Sequence, residues 1–101
     1  MSNNADILKA AKQLLIDNTW VQGDDLAISG PRNCFCAATA IGEFCCRQGF
    51  LGDLHPAFRF FKEAAGIPPL DGIGPWNDAP ERTKDEVLAA FDKAIALAEA
   101  A

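Results

Sequence analysis

Four cysteines, one histidine and a Trp-Asn-Asp turn are the residues of this chain whose chemistry deserves a test. Cys34, Cys36, Cys45 and Cys46 are one apart and adjacent, whereas a structural zinc site draws on thiolate pairs separated by two to four residues. Placed on one helix, Cys34 and Cys45 share a face but stand about 16 Å apart, at ~1.5 Å per residue. One helix cannot wrap one ion, so no metal is expected. Small, buried, reduced cysteines are the expectation instead. His55 is the single histidine. A Cys–His pair with Cys34 or Cys36 is arithmetically open, but Pro56 follows at once and makes His55 an ordinary helix-start residue. Asp24-Asp25 lacks the spacing of a calcium loop. Gly72-Ile73-Gly74 lacks the strand and the glycine spacing of a dinucleotide loop. No cofactor is implied.

The stretch Pro75-Trp76-Asn77-Asp78-Ala79-Pro80-Glu81-Arg82-Thr83 is more informative. Two prolines fix backbone torsions, and Asn77 and Asp78 are suited to bonding neighbouring amides, so the segment reads as a rigid polar turn. An indole held in so constrained a turn either wedges the core shut or walls a binding site. A second indole, Trp20, opens the loop Trp20-Val21-Gln22-Gly23. The candidate binding residues are therefore Trp20, Gln22, Trp76, Asn77, Asp78 and Arg82. The two segments are expected to meet, with Arg82 paired to Asp78 or awaiting a ligand. Were the site catalytic, Asp78 would serve as acid or base, Arg82 would hold an anion and Cys36 would be the nucleophile.

Helices must position these residues. Ile7, Leu8, Ala11, Leu14 and Leu15 recur at three and four, predicting an amphipathic helix over 5–17 with Asn4 as its cap and an exit at Asp17-Asn18-Thr19. A polar, irregular stretch follows, in which Leu26-Ala27-Ile28 is suited to a few extended residues. Asn33 is placed to cap a second helix over 34–48, apolar nearly all round and therefore central and buried, with Gly49 as its stop. Leu54, Phe58, Phe61 and Ala65 outline a short third helix, with Pro56 admissible in its first turn and Gly66 at its end. Residues 67–74, rich in Pro and Gly, read as an ordered connector. Thr83 and Glu86 have capping-box spacing ahead of a last helix over 84–99 that buries Val87, Leu88, Phe91, Ile95 and Ala98. Glu99 opposes the dipole at its C-terminus, so the final turn should fray. The expected fold is all-α: one domain over 1–101, with about four helices around the Cys/Ala-rich one, and two long ordered loops carrying Trp20 and Trp76.

Composition bounds the function. With 14 acids against 9 bases the formal net charge is −5. That opposes binding to nucleic acid, whose affinity comes largely from Lys and Arg neutralising phosphates. No apolar run approaches the length of a membrane span and no signal-like leader follows Met1, so a cytoplasmic protein with no membrane partner is expected.

Three blocks carry a resemblance: Trp20-Val21-Gln22-Gly23, Cys36-Ala37-Ala38-Thr39-Ala40-Ile41, and Trp76 to Thr83 running into Glu86-Val87-Leu88. In this order they resemble the DUF6197 family of small bacterial and phage proteins. Phe35 and Thr39 stand where relatives often carry Trp and Gly. The resemblance implies a small helical domain and no assigned activity. The functional expectation is a binding or interaction module, such as an accessory protein of a phage or mobile element. Its partner would be a protein or a small molecule, and a homo-oligomer is compatible with it. The alternative is a small enzyme or small-molecule-binding protein with a pocket between the Trp20 and Trp76 loops.

Overall fold

The computed structural model describes residues 3–23, 33–45 and 55–101. Among these, five helices and one minimal sheet follow in the order α1 (Asn4–Asp17), β1 (Thr19–Trp20), β2 (Cys34–Phe35), α2 (Ala37–Cys45), α3 (Pro56–Ala65), α4 (Ile73–Asn77) and α5 (Lys84–Ala100). The fold is all-α in character, with one more helix than the sequence spacing predicts.

The first helix starts one residue earlier than expected. Asn3, not Asn4, is its cap: the Asn3 side chain accepts from the backbone N–H of Asp6 at 2.8 Å, the third residue of the helix. Its apolar stripe faces inward, with Ile7, Leu8, Ala11 and Leu15 buried. At the exit Asn18 donates its side-chain amide to the Leu14 carbonyl at 2.9 Å, occupying one of the acceptors a helix end leaves open.

Beyond Asn18 the chain extends for two residues. β1 pairs in parallel with β2, Thr19 opposite Cys34 and Trp20 opposite Phe35. Cys34 and Phe35, expected inside a helix, are therefore strand residues, and Asn33 caps nothing. The Thr19 N–H donates to the Asn33 carbonyl at 2.8 Å and the Val21 N–H to the Phe35 carbonyl at 3.0 Å. These partners lie far apart in sequence, and their bonds override the local preference for helix.

The helix begins three residues later than the spacing predicts, at Ala37, and Cys36 takes the capping role. The Cys36 carbonyl accepts from Ala40, its thiol sulfur accepts from the Thr39 N–H at 3.4 Å, and the Thr39 hydroxyl accepts from the Cys36 N–H at 2.9 Å. This is the reciprocal logic of a capping box with a thiol and a hydroxyl as its side chains. Ala37, Ala40 and Ile41 are buried, but Glu43 is exposed and Phe44 is 43% exposed. The helix is thus packed on one face, not buried all round. The extended run Leu26-Ala27-Ile28, the stop at Gly49, Leu54 and Cys46 lie outside the described residues, as does the side chain of Cys45.

His55 caps α3: its Nδ1 accepts from the Ala57 N–H at 3.1 Å, and Pro56 fills the first turn. Gly66 closes the helix at φ 74°, a left-handed conformation open to glycine at little cost. Lys62, largely buried, donates to the Pro69 carbonyl at 3.4 Å and ties the following connector back to the helix.

The last helix opens on the expected capping box. The Glu86 N–H donates to the Thr83 hydroxyl at 3.2 Å, and the Thr83 N–H donates to the Glu86 carboxylate at 3.1 Å. Val87, Ala90, Phe91 and Ala94 are its buried residues, while Leu88, Ile95 and Ala98 are partly buried against the same core. It packs on α1 and α3, and α1 packs on α2. Phe61 and Phe91 meet at 4.7 Å between ring centroids. The helix runs on to Ala100, and Lys9 of α1 pairs with Glu99 at 3.0 Å. That hydrogen bond and the Glu99 charge hold the Lys9 ammonium above its ordinary value. No helix among the described residues is long and apolar enough to cross a membrane.

Candidate binding site at the Trp20–Trp76 junction

Segment 73–83 owes its geometry to its prolines and polar side chains. The expected rigid turn contains a one-turn helix, α4, with Pro75 in its first turn, where no backbone N–H is required. Trp76 therefore sits on a short helix, not in a loop. The Asp78 N–H donates back to the Gly74 carbonyl at 2.9 Å, and the Arg82 N–H donates to the Ala79 carbonyl at 2.9 Å, which leads the chain into the Thr83 cap.

The Trp20 and Trp76 segments meet, and Asn77 is where they join. Its side chain has no exposed surface. Its Oδ1 accepts from the Trp20 indole Nε1 at 2.6 Å and from the Ala37 backbone N–H at 3.0 Å. Its Nδ2 donates to the Val21 carbonyl at 3.0 Å and to the Asp78 carboxylate at 3.0 Å. An amide side chain offers two acceptor positions and two donor hydrogens, and here all four are used. One residue thus fastens the end of β1, the N-terminus of α2 and the end of α4.

Gln22 and Asp78 complete the fastening. Gln22 Nε2 donates to the Asn77 carbonyl at 3.0 Å and to the Ala79 carbonyl at 2.7 Å. The Asp78 carboxylate accepts from the Gly23 N–H at 2.8 Å as well as from Asn77. Gly23 lies at φ 92°, which L side chains rarely adopt, so a glycine is required where this amide turns toward Asp78.

Trp76 and Arg82 form the outer part. The Arg82 guanidinium carbon lies 4.0 Å from the Trp76 ring centroid, and the Phe61 ring meets Trp76 at 5.4 Å in a T-shaped arrangement. Arg82 Nε donates to the Trp76 carbonyl at 3.0 Å, and its Nη1 pairs with Glu86 at 3.1 Å. The expected Arg82–Asp78 pair is thus replaced. Asp78 turns toward the backbone of the Trp20 segment, while Arg82 has Glu86 within reach one helical turn on.

All six residues singled out from the sequence lie at this junction. The Ala37 amide, the Val21 and Ala79 carbonyls and Phe61 complete it and were not among them. Backbone groups carry no residue signal; only the aromatic period of α3 marked Phe61, and it marked it as core.

The catalytic candidates are each engaged within the chain, Asp78 with Gly23 and Asn77 and Arg82 with Trp76 and Glu86. Cys36 is buried, with its sulfur accepting from Thr39, and His55 is engaged in capping α3. Among the described residues, no group of three or more His, Cys, Asp or Glu side chains is placed to hold a metal ion.

A shallow cleft of about 600 Å³ runs between the 66–72 connector and α4. Ile67, Pro68, Leu70, Asp71, Pro75 and Trp76 are among its lining residues. Leu70 is 99% exposed, the most exposed of the large hydrophobic side chains described. The Trp76 indole N–H has no acceptor among the described residues and is not sealed from solvent.

Comparison with known proteins comes to one result. Residues 1–97 match the model of DUF6197, a family of unknown function, and the chain belongs to that family. No curated protein and no solved structure matches it.

Proposed function

We propose that this protein is a small cytoplasmic interaction module without catalytic activity, and that it meets a partner protein on the Trp76 side of the junction. The observation that carries this reading is the full exposure of Leu70 beside the Trp76 cleft. A large aliphatic side chain left in water forgoes roughly 1.5–3 kcal/mol of burial that a partner would restore. Behind it, Asn77, Gln22 and Arg82 hold the wall of the cleft in one geometry, which lowers the ordering cost of association. A small-molecule or catalytic pocket between the two Trp segments would have to draw on Asn77. Its hydrogen-bonding positions are all taken within the chain, so interaction is the better reading. The acidic balance argues against a nucleic-acid partner. A role as accessory protein of a phage or mobile element fits this reading.

Site-specific photocrosslinking in the host cell tests it. A benzophenone amino acid at position 70 should yield a discrete adduct, either with another protein or with a second copy of the chain. The same group at position 93, exposed on α5, should not. An absence of adducts at 70, or the same adducts at both positions, would overturn the proposal.

A further inference from the structure

We infer that the Trp76 cleft takes an extended, proline-containing peptide segment bearing a basic residue, supplied by the partner protein. This rests on the interaction reading above and names the chemistry recognised at the same surface.

Shape argues first. The cleft is shallow, and its walls include Pro68, Leu70, Pro75 and Trp76. An α-helix about 10–12 Å across docks by laying its i, i+3 and i+4 anchors into a hydrophobic groove, whereas this cleft is shallow and also lined by Asp71 and two glycines. A polyproline-type strand is narrower and is already extended before it binds, so it loses little entropy on flat ridges of proline and aromatic rings.

The donors and charges argue in the same direction. A polyproline segment carries carbonyls with no internal partner, and Trp76, one of the residues lining the cleft, has an indole N–H with no acceptor among the described residues. Trp20 differs here, because its own N–H is consumed by Asn77. Asp71 lines the same cleft, exposed and without an ion-pair partner among the described residues. A carboxylate beside apolar ridges, on a chain of net charge −5, selects for a cation in the ligand. Arg82 does not compete for it, being held over Trp76 and by Glu86. Arg82 over the ring and Phe61 in a T-shaped arrangement with it hold the indole before any ligand arrives.

The test is titration of the full, 15N-labelled chain with the synthetic peptide RPLPPLP, followed by NMR. The indole N–H resonance of Trp76 and the amides of Leu70, Asp71 and Gly72 should move together. The peptide EPLPPLP should bind about two- to five-fold more weakly, the range of an exposed ion pair. Asp71→Lys, at an exposed position that leaves the fold intact, should reverse that preference. A Trp76 indole resonance that stays fixed at millimolar peptide would overturn the inference. Equal binding of the glycine-substituted peptide RGLGGLG would also overturn it. A discrete crosslink at position 70 combined with no peptide response would refute this partner chemistry and leave the interaction module standing. Failure of both would remove both.

Discussion

On the Trp20 side of the junction, every hydrogen-bonding position of the central amide is filled from within the chain, and that amide is fully buried. On the Trp76 side, a few residues away, a leucine is bare, an indole N–H lacks an acceptor and a carboxylate lacks a cation among the described residues. The two tryptophans flank the same asparagine, and their chemistry is opposite. Trp20 is spent on structure. Trp76 is braced from behind by Phe61 and Arg82 while part of it faces solvent. The difference favours testing for function beside the saturated polar network, where side chains of the described residues remain unpartnered, before testing within it. Satisfied buried networks rigidify a fold, and a rigid frame is what lets a neighbouring surface be specific.

The largest expected effect breaks the first half of that comparison. Asn77→Ala strands the part-buried Trp20 indole N–H and the buried Ala37 amide without an acceptor, at about 1–3 kcal/mol for a buried donor and less for one that water can reach. Denaturant melts should show a loss of roughly 3–5 kcal/mol, a large share of what holds a domain of this size folded. A loss below about 1 kcal/mol would mean that water or another donor replaces Asn77 easily, and that the junction is not a closed network.

Much of this architecture was readable from residue pattern alone, and the reasons are local. The Thr83–Glu86 box, the Gly66 stop, the Pro56 start and the apolar stripes of α1, α3 and α5 depend on partners within one or two turns. The meeting of the Trp20 and Trp76 segments was also readable, because each indole sits at a helix boundary. The Cys34–Phe35 strand was not. It exists because of the Thr19 and Val21 amides, and no local propensity encodes partners that far along the chain. Asn77 was legible as a turn residue and as part of the site, but not as a buried tie to Ala37, 40 residues away. The one-turn helix α4 hid behind its own Pro75, whose lack of an N–H matters only beyond the first turn. The cleft beside Leu70 left no trace in the pattern, since an exposed leucine in a Pro/Gly connector reads as ordinary loop.

The smallest expected effect sharpens the second half. Leu70→Ser should change stability by no more than about 0.5 kcal/mol, as for other surface positions without packing partners. It should nevertheless abolish the crosslink from a benzophenone placed at the neighbouring exposed position 71. A loss of stability comparable to that of Asn77→Ala would show that Leu70 serves the fold and that the contrast between the two sides is false.

The central claim is that Trp20 and Asn77 act as one structural unit, and a double-mutant cycle addresses it most directly. Trp20→Phe keeps the ring but removes the indole N–H, and Asn77→Ala removes its acceptor. Measured by denaturant unfolding, the two should be coupled by about 1 kcal/mol or more, so that the double variant is less destabilised than the sum of the singles. Additivity within about 0.3 kcal/mol would contradict the account, because the 2.6 Å bond at the centre of the junction would then contribute nothing to holding the two segments together.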